Sequence, residues 1–130
     1  MRTTDAQPAT DTQPSAPTAP GEGWTDVCAV DDIVPDTGVA AWVDGHQIAV
    51  FRLADGQVLA IDHHDPLAGA NVLARGIVGD ADGQAVVASP LHKQRYVLTT
   101  GVCLDADVAV ATHPVRVGGD GRIAVRRGER

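Results

Sequence analysis

From Trp24 to Val125, short runs of aliphatic residues alternate with polar turns, as in strands rather than helices. Asp-Gly occurs four times between the runs: Asp44-Gly45, Asp55-Gly56, Asp82-Gly83 and Asp120-Gly121. Asp-Gly is typical of the two-residue type I′ turn, because both central residues of that turn need a positive φ. The neighbouring runs predict strands at 39–43, 46–53, 58–61, 77–78, 85–88, 115–117 and 122–125.

Alternate positions within these runs share a chemical character. Ile48 and Val50 lie on one face of their predicted strand, with Gln47 and Ala49 on the other. Helical periodicity is almost absent, and the best candidate is one short turn at 31–34. Several short strands with turn signals predict an all-β fold, either an antiparallel sandwich or a small barrel.

The first 21 residues differ in composition from the rest of the chain. They contain four prolines among Thr, Ala, Gln and Asp and, apart from Met1, no large apolar side chain. Such a segment cannot bury enough surface to offset its ordering entropy. We therefore expect a disordered tail over 1–21 and one β domain over 22–127, which suits a chain of 130 residues.

The charge balance narrows the classes of function. The chain has 10 Lys+Arg and 17 Asp+Glu, a formal net charge of −7. An acidic chain repels phosphate groups, so we expect it to bind neither nucleic acid nor an anionic membrane. It has no apolar run of membrane-span length. Its first residues are polar, so we expect that they do not form a secretory signal peptide. We expect a cytoplasmic protein in which Cys28 and Cys103 are free thiols.

Two irregular stretches, 62–76 and 89–93, interrupt the strands and hold three of the five histidines. His63, His64 and Asp65, with His92, have the residue types of a metal site. Adjacent side chains diverge on an extended backbone, however, so we interpret these residues as solvated loop residues. We also expect exposed positions for two other histidines, His46 and His113.

The same two stretches resemble the cluster-binding loops of Rieske [2Fe–2S] domains. Those loops have the forms C-P-x-x-G-A and C-P-x-H-G, and together they supply two Cys and two His ligands. Here residues 65–70 read DPLAGA and residues 89–92 read SPLH. By this resemblance Asp65, Leu67 and Ser89 stand at ligand positions without a ligand side chain, and only His92 matches. The resemblance implies a Rieske-like β fold with two projecting loops and no cofactor or metal in this chain.

Residues 24–126 are also similar to the small subunits of assimilatory NAD(P)H nitrite reductases. The similarity is carried by WTDVC at 24–28, GVAA at 38–41, IAVFR at 48–52, NVLARGIVGD at 71–80 and SPL at 89–91. It implies a non-catalytic subunit that binds a large subunit. That partner would carry FAD, an iron–sulfur cluster and sirohaem, and would reduce nitrite to ammonium in nitrate assimilation.

The former cluster loops keep their framework residues, so we expect them to form the docking surface for the large subunit. The candidate contact residues are Asn71, Arg75, Lys93 and Arg95. We expect Leu67 and Leu73 to fill the core. Two alternatives stay open: an electron carrier that still holds a cluster, and a stand-alone β protein that binds a small molecule.

Overall fold

The computed structural model describes residues 23–128, so the predicted tail at 1–21 lies outside the described residues. The described chain contains twelve strands and two single-turn 3-10 helices. In chain order the strands are β1 (Trp24–Ala29), β2 (Thr37–Val43), β3 (His46–Arg52), β4 (Val58–Asp62), β5 (His64–Asp65), β6 (Ala70–Asn71), β7 (Ile77–Ala81), β8 (Gln84–Ala88), β9 (Arg95–Val97), β10 (Thr112–His113), β11 (Val115–Val117) and β12 (Arg122–Arg126). The 3-10 turns are Val30–Asp32 and Leu73–Arg75.

Antiparallel pairing arranges the strands into four sheets. The central sheet has the order β10-β4-β3-β2, and two three-stranded sheets have the orders β1-β12-β11 and β7-β8-β9. A two-residue pairing of β5 with β6 forms the fourth. No helix among residues 23–128 is long and apolar enough to cross a membrane. The all-β fold predicted from the alternating pattern is confirmed.

Strand β3 separates two hydrophobic cores. Ile48 and Val50 enter a cluster that contains aliphatic residues of β12. Ala49 and Phe51 enter a second cluster, which contains Tyr96 of β9 and a valine of β8. The predicted alternation is therefore confirmed, and both faces of β3 are buried because each side of the central sheet is covered by further strands.

Two of the four Asp-Gly turns have the predicted geometry. At Asp44-Gly45 and Asp82-Gly83 both residues have a positive φ, as a type I′ turn requires. At Asp55-Gly56 and Asp120-Gly121 only the glycine does, so the type I′ prediction is wrong there. In these turns the Asp carboxylate accepts a hydrogen bond from the amide two residues later, at 2.9 and 3.0 Å, and this bond fixes the turn.

All seven predicted strands are present, with bounds that differ by a few residues. The predicted turn near 31–34 is the first 3-10 turn. The pattern delimited neither β1 nor the three-residue β9. The other three unpredicted strands, β5, β6 and β10, have two residues each and are too short for an alternating pattern to show.

The two irregular stretches connect strands on the Tyr96 side of the central sheet. The first loop (residues 62–76) is anchored there by Leu73 and Ala74, which are buried in the second core. The second loop (residues 89–94) links β8 to β9. This arrangement brings the two loops together at one side of the domain.

Candidate functional site

A buried carboxylate joins the two loops. Asp65 is fully buried, and its Oδ2 accepts a hydrogen bond from the Ser89 hydroxyl at 2.5 Å. The Gln94 amide nitrogen donates to both carboxylate oxygens, at 2.9 and 3.0 Å. The Tyr96 hydroxyl donates to Oδ1 at 2.8 Å. These four side chains, the Asp65 network, connect residues up to 31 positions apart in the sequence.

The backbone of both loops is tied to the same network. The amides of Leu67 and Ala68 donate to Asp65 Oδ1, at 3.0 and 3.4 Å. In the second loop, the amide of Leu91 donates to the Ser89 hydroxyl oxygen at 3.3 Å. One carboxylate therefore organises the tips of both loops.

The network holds Asp65 in its charged form. Burial alone would raise the pKa of Asp65, but hydrogen bonds from Ser89, Tyr96 and two backbone amides together hold this pKa below its ordinary value. Burial raises the pKa of Tyr96, and its hydrogen bond to Asp65 adds to the effect. Tyr96 therefore stays a protonated donor, and Asp65 is a carboxylate at neutral pH.

Two histidines predicted to be exposed are buried. The Nδ1 of His63 accepts a hydrogen bond from the Ala74 amide at 3.1 Å and so anchors the second 3-10 turn. Burial, with Arg75 adding to it, lowers the pKa of His63. His113 lies between the Asp62 carboxylate and the Gly128 amide, at 2.8 Å from each. The prediction of exposure is wrong here because the ring nitrogens find partners inside the fold.

The remaining histidines are exposed, as predicted. They are His46, His64 and His92, and the Nδ1 of His64 lies 2.9 Å from the Asn71 side-chain oxygen. The interpretation of Asp65 as a solvated residue is wrong, since it is buried in the network above. Across residues 23–128, no three His, Cys, Asp or Glu side chains are grouped as a metal site requires.

The tips of the two loops are apolar and exposed. Leu67 is 42% exposed and Leu91 is 54% exposed, and each follows an exposed proline. The prediction that Leu67 fills the core is wrong, because its loop is held inward through the backbone amide rather than through the side chain. The same prediction for Leu73 is confirmed.

The charged residues in the segments that follow Asp65 and Pro90 along the chain are cations. Residues 66–79 and 89–104 contain no Asp or Glu, although the whole chain has 17. Arg75 and Lys93 are exposed, and neither forms an ion pair with another described residue. Arg95 instead makes a bidentate pair with Asp105, at 2.8 and 3.0 Å, which lowers the pKa of Asp105 to about 2.

The residues at the Rieske ligand positions do not fit an iron–sulfur cluster. Leu67 has no donor atom, and the Ser89 hydroxyl is a poor thiolate substitute because it stays protonated at neutral pH. The oxygens of Asp65 are occupied by hydrogen bonds from both loops. Only His92 retains a ligand side chain, and one ligand cannot hold two irons.

Gln94 and Tyr96 were missed as members of this site. A signal was present in the sequence, since Ser89, Gln94 and Tyr96 are hydrogen-bonding residues within eight positions. A carboxylate at a former thiolate position, with such residues at the other loop, is the pattern expected when hydrogen bonds replace metal coordination.

Comparison with known proteins identifies the family. Residues 23–126 match the family described as the Rieske-like [2Fe-2S] domain. The nitrite reductase (NADH) small subunit of Escherichia coli K12 is 42% identical over 105 residues, which cover 79% of this chain and 96% of that protein. A segment of the nitrite reductase [NAD(P)H] large subunit of Klebsiella oxytoca is 43% identical over 102 residues, covering 78% of this chain and 11% of that protein.

The solved structures agree with the sequence matches. The solution structure of the nitrite reductase [NAD(P)H] small subunit from Erwinia carotovora superposes with a TM-score of 0.70 at 44% identity. The superposition covers 85% of each chain. The chain therefore belongs to the nitrite reductase small subunits, within the family of Rieske-like [2Fe-2S] domains.

Proposed function

We propose that this protein is the non-catalytic small subunit of an NAD(P)H-dependent nitrite reductase. It binds the large subunit that reduces nitrite to ammonium, and it supports that subunit's assembly or activity. The flavin, iron–sulfur and sirohaem groups implied by the resemblance belong to the large subunit. The complex works in the cytoplasm, where Cys28 and Cys103 remain free thiols, as they are in this fold.

The Klebsiella oxytoca relative supports a direct partnership. Its protein is named a large subunit, yet 11% of its length matches most of this chain. In that protein the domain and the large subunit share one polypeptide. A domain that is covalently joined to an enzyme in one organism and separate in another is expected to bind that enzyme non-covalently.

The observation that carries the docking site is the exposed tip formed by the two loops, where the carboxylate of Asp65 is buried and residues 66–79 and 89–104 include no Asp or Glu. Leu67 and Leu91 provide apolar area, and Arg75 and Lys93 provide positive charge on a chain whose net charge is −7. Interfaces commonly combine a desolvated apolar centre with a polar rim. We propose that this loop-tip surface (Leu67, Leu91, Arg75 and Lys93, with Asn71 beside them) contacts the large subunit.

The chemistry of the tip supports the proposal of a non-catalytic role. A Rieske domain that transfers electrons needs thiolate and imidazole ligands, and three of the four positions lack them. The Asp65 network supplies the connection between the loops that metal coordination would otherwise give. The small subunit then contributes a rigid shape and a surface.

The test is a binding titration of the purified chain against the purified large subunit. The double variant Leu67→Asp with Leu91→Asp should raise the Kd at least about tenfold, since it places charge in the apolar centre of the interface. Val34→Asp is the matched control, because Val34 is also an exposed aliphatic residue in a turn, at 68% exposure. It should bind like the wild type.

Two results would remove the proposal. A wild-type chain that neither binds the large subunit nor changes its nitrite reduction would contradict the assigned role. Equal Kd values for the double variant and the control would show that the interface does not lie at the loop tips.

A further inference from the structure

Lys93 has an unusual backbone conformation. Four non-glycine residues in the described part of the chain have a positive φ: Asp36, Asp44, Asp82 and Lys93. Aspartate tolerates this left-handed region because its short side chain can hydrogen-bond locally. Lysine has no such compensation, so φ of +63° at Lys93 is a local strain.

The fold uses the backbone at this position and not the side chain. The Lys93 amide donates to the Ser89 carbonyl at 2.9 Å, and the Ser89 amide donates to the Gln94 carbonyl at the same distance. Glycine would make the same hydrogen bonds without steric strain. The Rieske pattern C-P-x-H-G itself has glycine at this place. The stability of the fold therefore does not explain why the residue at position 93 is a lysine.

The surroundings of Lys93 indicate what its side chain can bind. It is exposed, and its ammonium group makes no ion pair with another described residue. It follows Leu91 and His92 at the tip of the second loop, within the acid-free stretch 89–104. A strained residue that presents an unpaired cation beside an exposed apolar residue is suited to pair with a carboxylate on another protein.

We propose that Lys93 is a specificity-determining contact, which the strained second loop presents to a carboxylate of the large subunit. This inference rests on the proposed function and names the chemistry of the partner surface, an acidic side chain beside an apolar recess. The strain at Lys93 is retained because the contact needs a cation at this point of the loop.

Three substitutions separate charge from strain. Lys93→Gly removes both, so its Tm should rise by about 2–5 °C while its Kd for the large subunit rises about tenfold. Lys93→Gln keeps the strain and removes the charge, so its Tm should stay at the wild-type value while its Kd also rises. Lys93→Arg keeps both and should bind within about threefold of the wild type.

The control is Arg116→Gln, which removes an exposed cation from β11, where the guanidinium lies 4.3 Å from the Trp24 ring centroid. It should leave the Kd unchanged. Wild-type binding by Lys93→Gln would overturn the inference, even if Lys93→Gly binds weakly, because loop stiffness rather than charge would then be the cause. In that case wild-type binding still upholds the proposed function, whereas a wild-type chain that does not bind refutes both.

Discussion

Replacing Asp65 by asparagine tests whether one carboxylate holds the two loops together. The substitution keeps the shape of the side chain and removes its charge. An asparagine oxygen can keep the bonds from Tyr96 and the Leu67 amide. The new NH2 group, however, replaces the oxygen that accepts from the Ser89 hydroxyl and from the Gln94 amide nitrogen, at 2.5 and 2.9 Å, so the hydroxyl must rotate to become an acceptor. Among the described residues the buried Gln94 Oε1 has no hydrogen-bond partner. The Gln94 side chain can therefore rotate its amide so that Oε1 accepts a hydrogen bond from the new NH2 group.

The expected loss of stability follows from the change of the hydrogen-bond acceptor at position 65 from a charged carboxylate to a neutral amide. Three side-chain donors bond to Asp65, and a hydrogen bond to a charged group is worth about 1 kcal/mol more than one to a neutral group. The loss of about 3 kcal/mol is offset in part because a charge no longer has to be buried. We expect a decrease of about 2–3 kcal/mol in the free energy of unfolding, and hence a Tm lower by roughly 10–20 °C.

The assay is urea and thermal unfolding followed by circular dichroism at pH 7. Asp55→Asn is the matched control, because it makes the same chemical change at an exposed turn where the carboxylate accepts one hydrogen bond from the Gln57 amide. The control should lose less than about 1 kcal/mol. If the two variants unfold at the same temperature, the Asp65 carboxylate does not stabilise the loops and the reasoning is refuted.

Three further predictions concern the histidine anchor, two glycines and the tail. Because burial lowers the pKa of His63, the unfolded chain binds a proton there more readily, so the free energy of unfolding should fall as the pH drops below about 6.5. Urea titrations at several pH values should show a weaker pH dependence of this free energy for His63→Asn than for the wild type. An equal pH dependence in both would contradict the role of His63 as a buried anchor. Gly101→Ala should lower the free energy of unfolding by more than about 3 kcal/mol, since φ is +80° there and a Cβ would lie 2.0 Å from the Val110 carbonyl oxygen. Gly69→Ala should lower it by only about 1 kcal/mol, because φ is +67° but no described atom lies within 4 Å of the added Cβ. Equal Tm values for the two variants would refute this contrast. Deleting residues 1–21 should leave the Kd for the large subunit unchanged. A higher Kd would show that these residues contribute to binding the large subunit.

The strands could be predicted because their signal is local. Alternation around Ile48 and Val50, and the Asp-Gly turns, depend on neighbours within a few residues. The turn type was less predictable, since Asp55 and Asp120 use their carboxylates to fix a different turn. That choice depends on how the flanking strands meet, which a dipeptide does not specify.

The site was predicted by position but not by its interactions. The resemblance placed Asp65 and Ser89 at equivalent points of two loops, and the structure joins them by a hydrogen bond across 24 residues of sequence. Burial of His63 was not predictable in this way, because its partner is the backbone amide of Ala74. Leu67 was misplaced for a similar reason: its amide, and not its side chain, faces the interior.

A cryo-EM structure of the complex with the large subunit tests the docking claim most directly. We predict that Leu67 and Leu91 are buried against the large subunit, with Lys93 within 4 Å of one of its carboxylates, the distance that defines an ion pair. We also predict that the Asp65 network is unchanged in the complex. A complex in which the loop tips remain in solvent, while the outer face of the β1-β12-β11 sheet around Trp24 and Arg116 is covered, would contradict the docking claim.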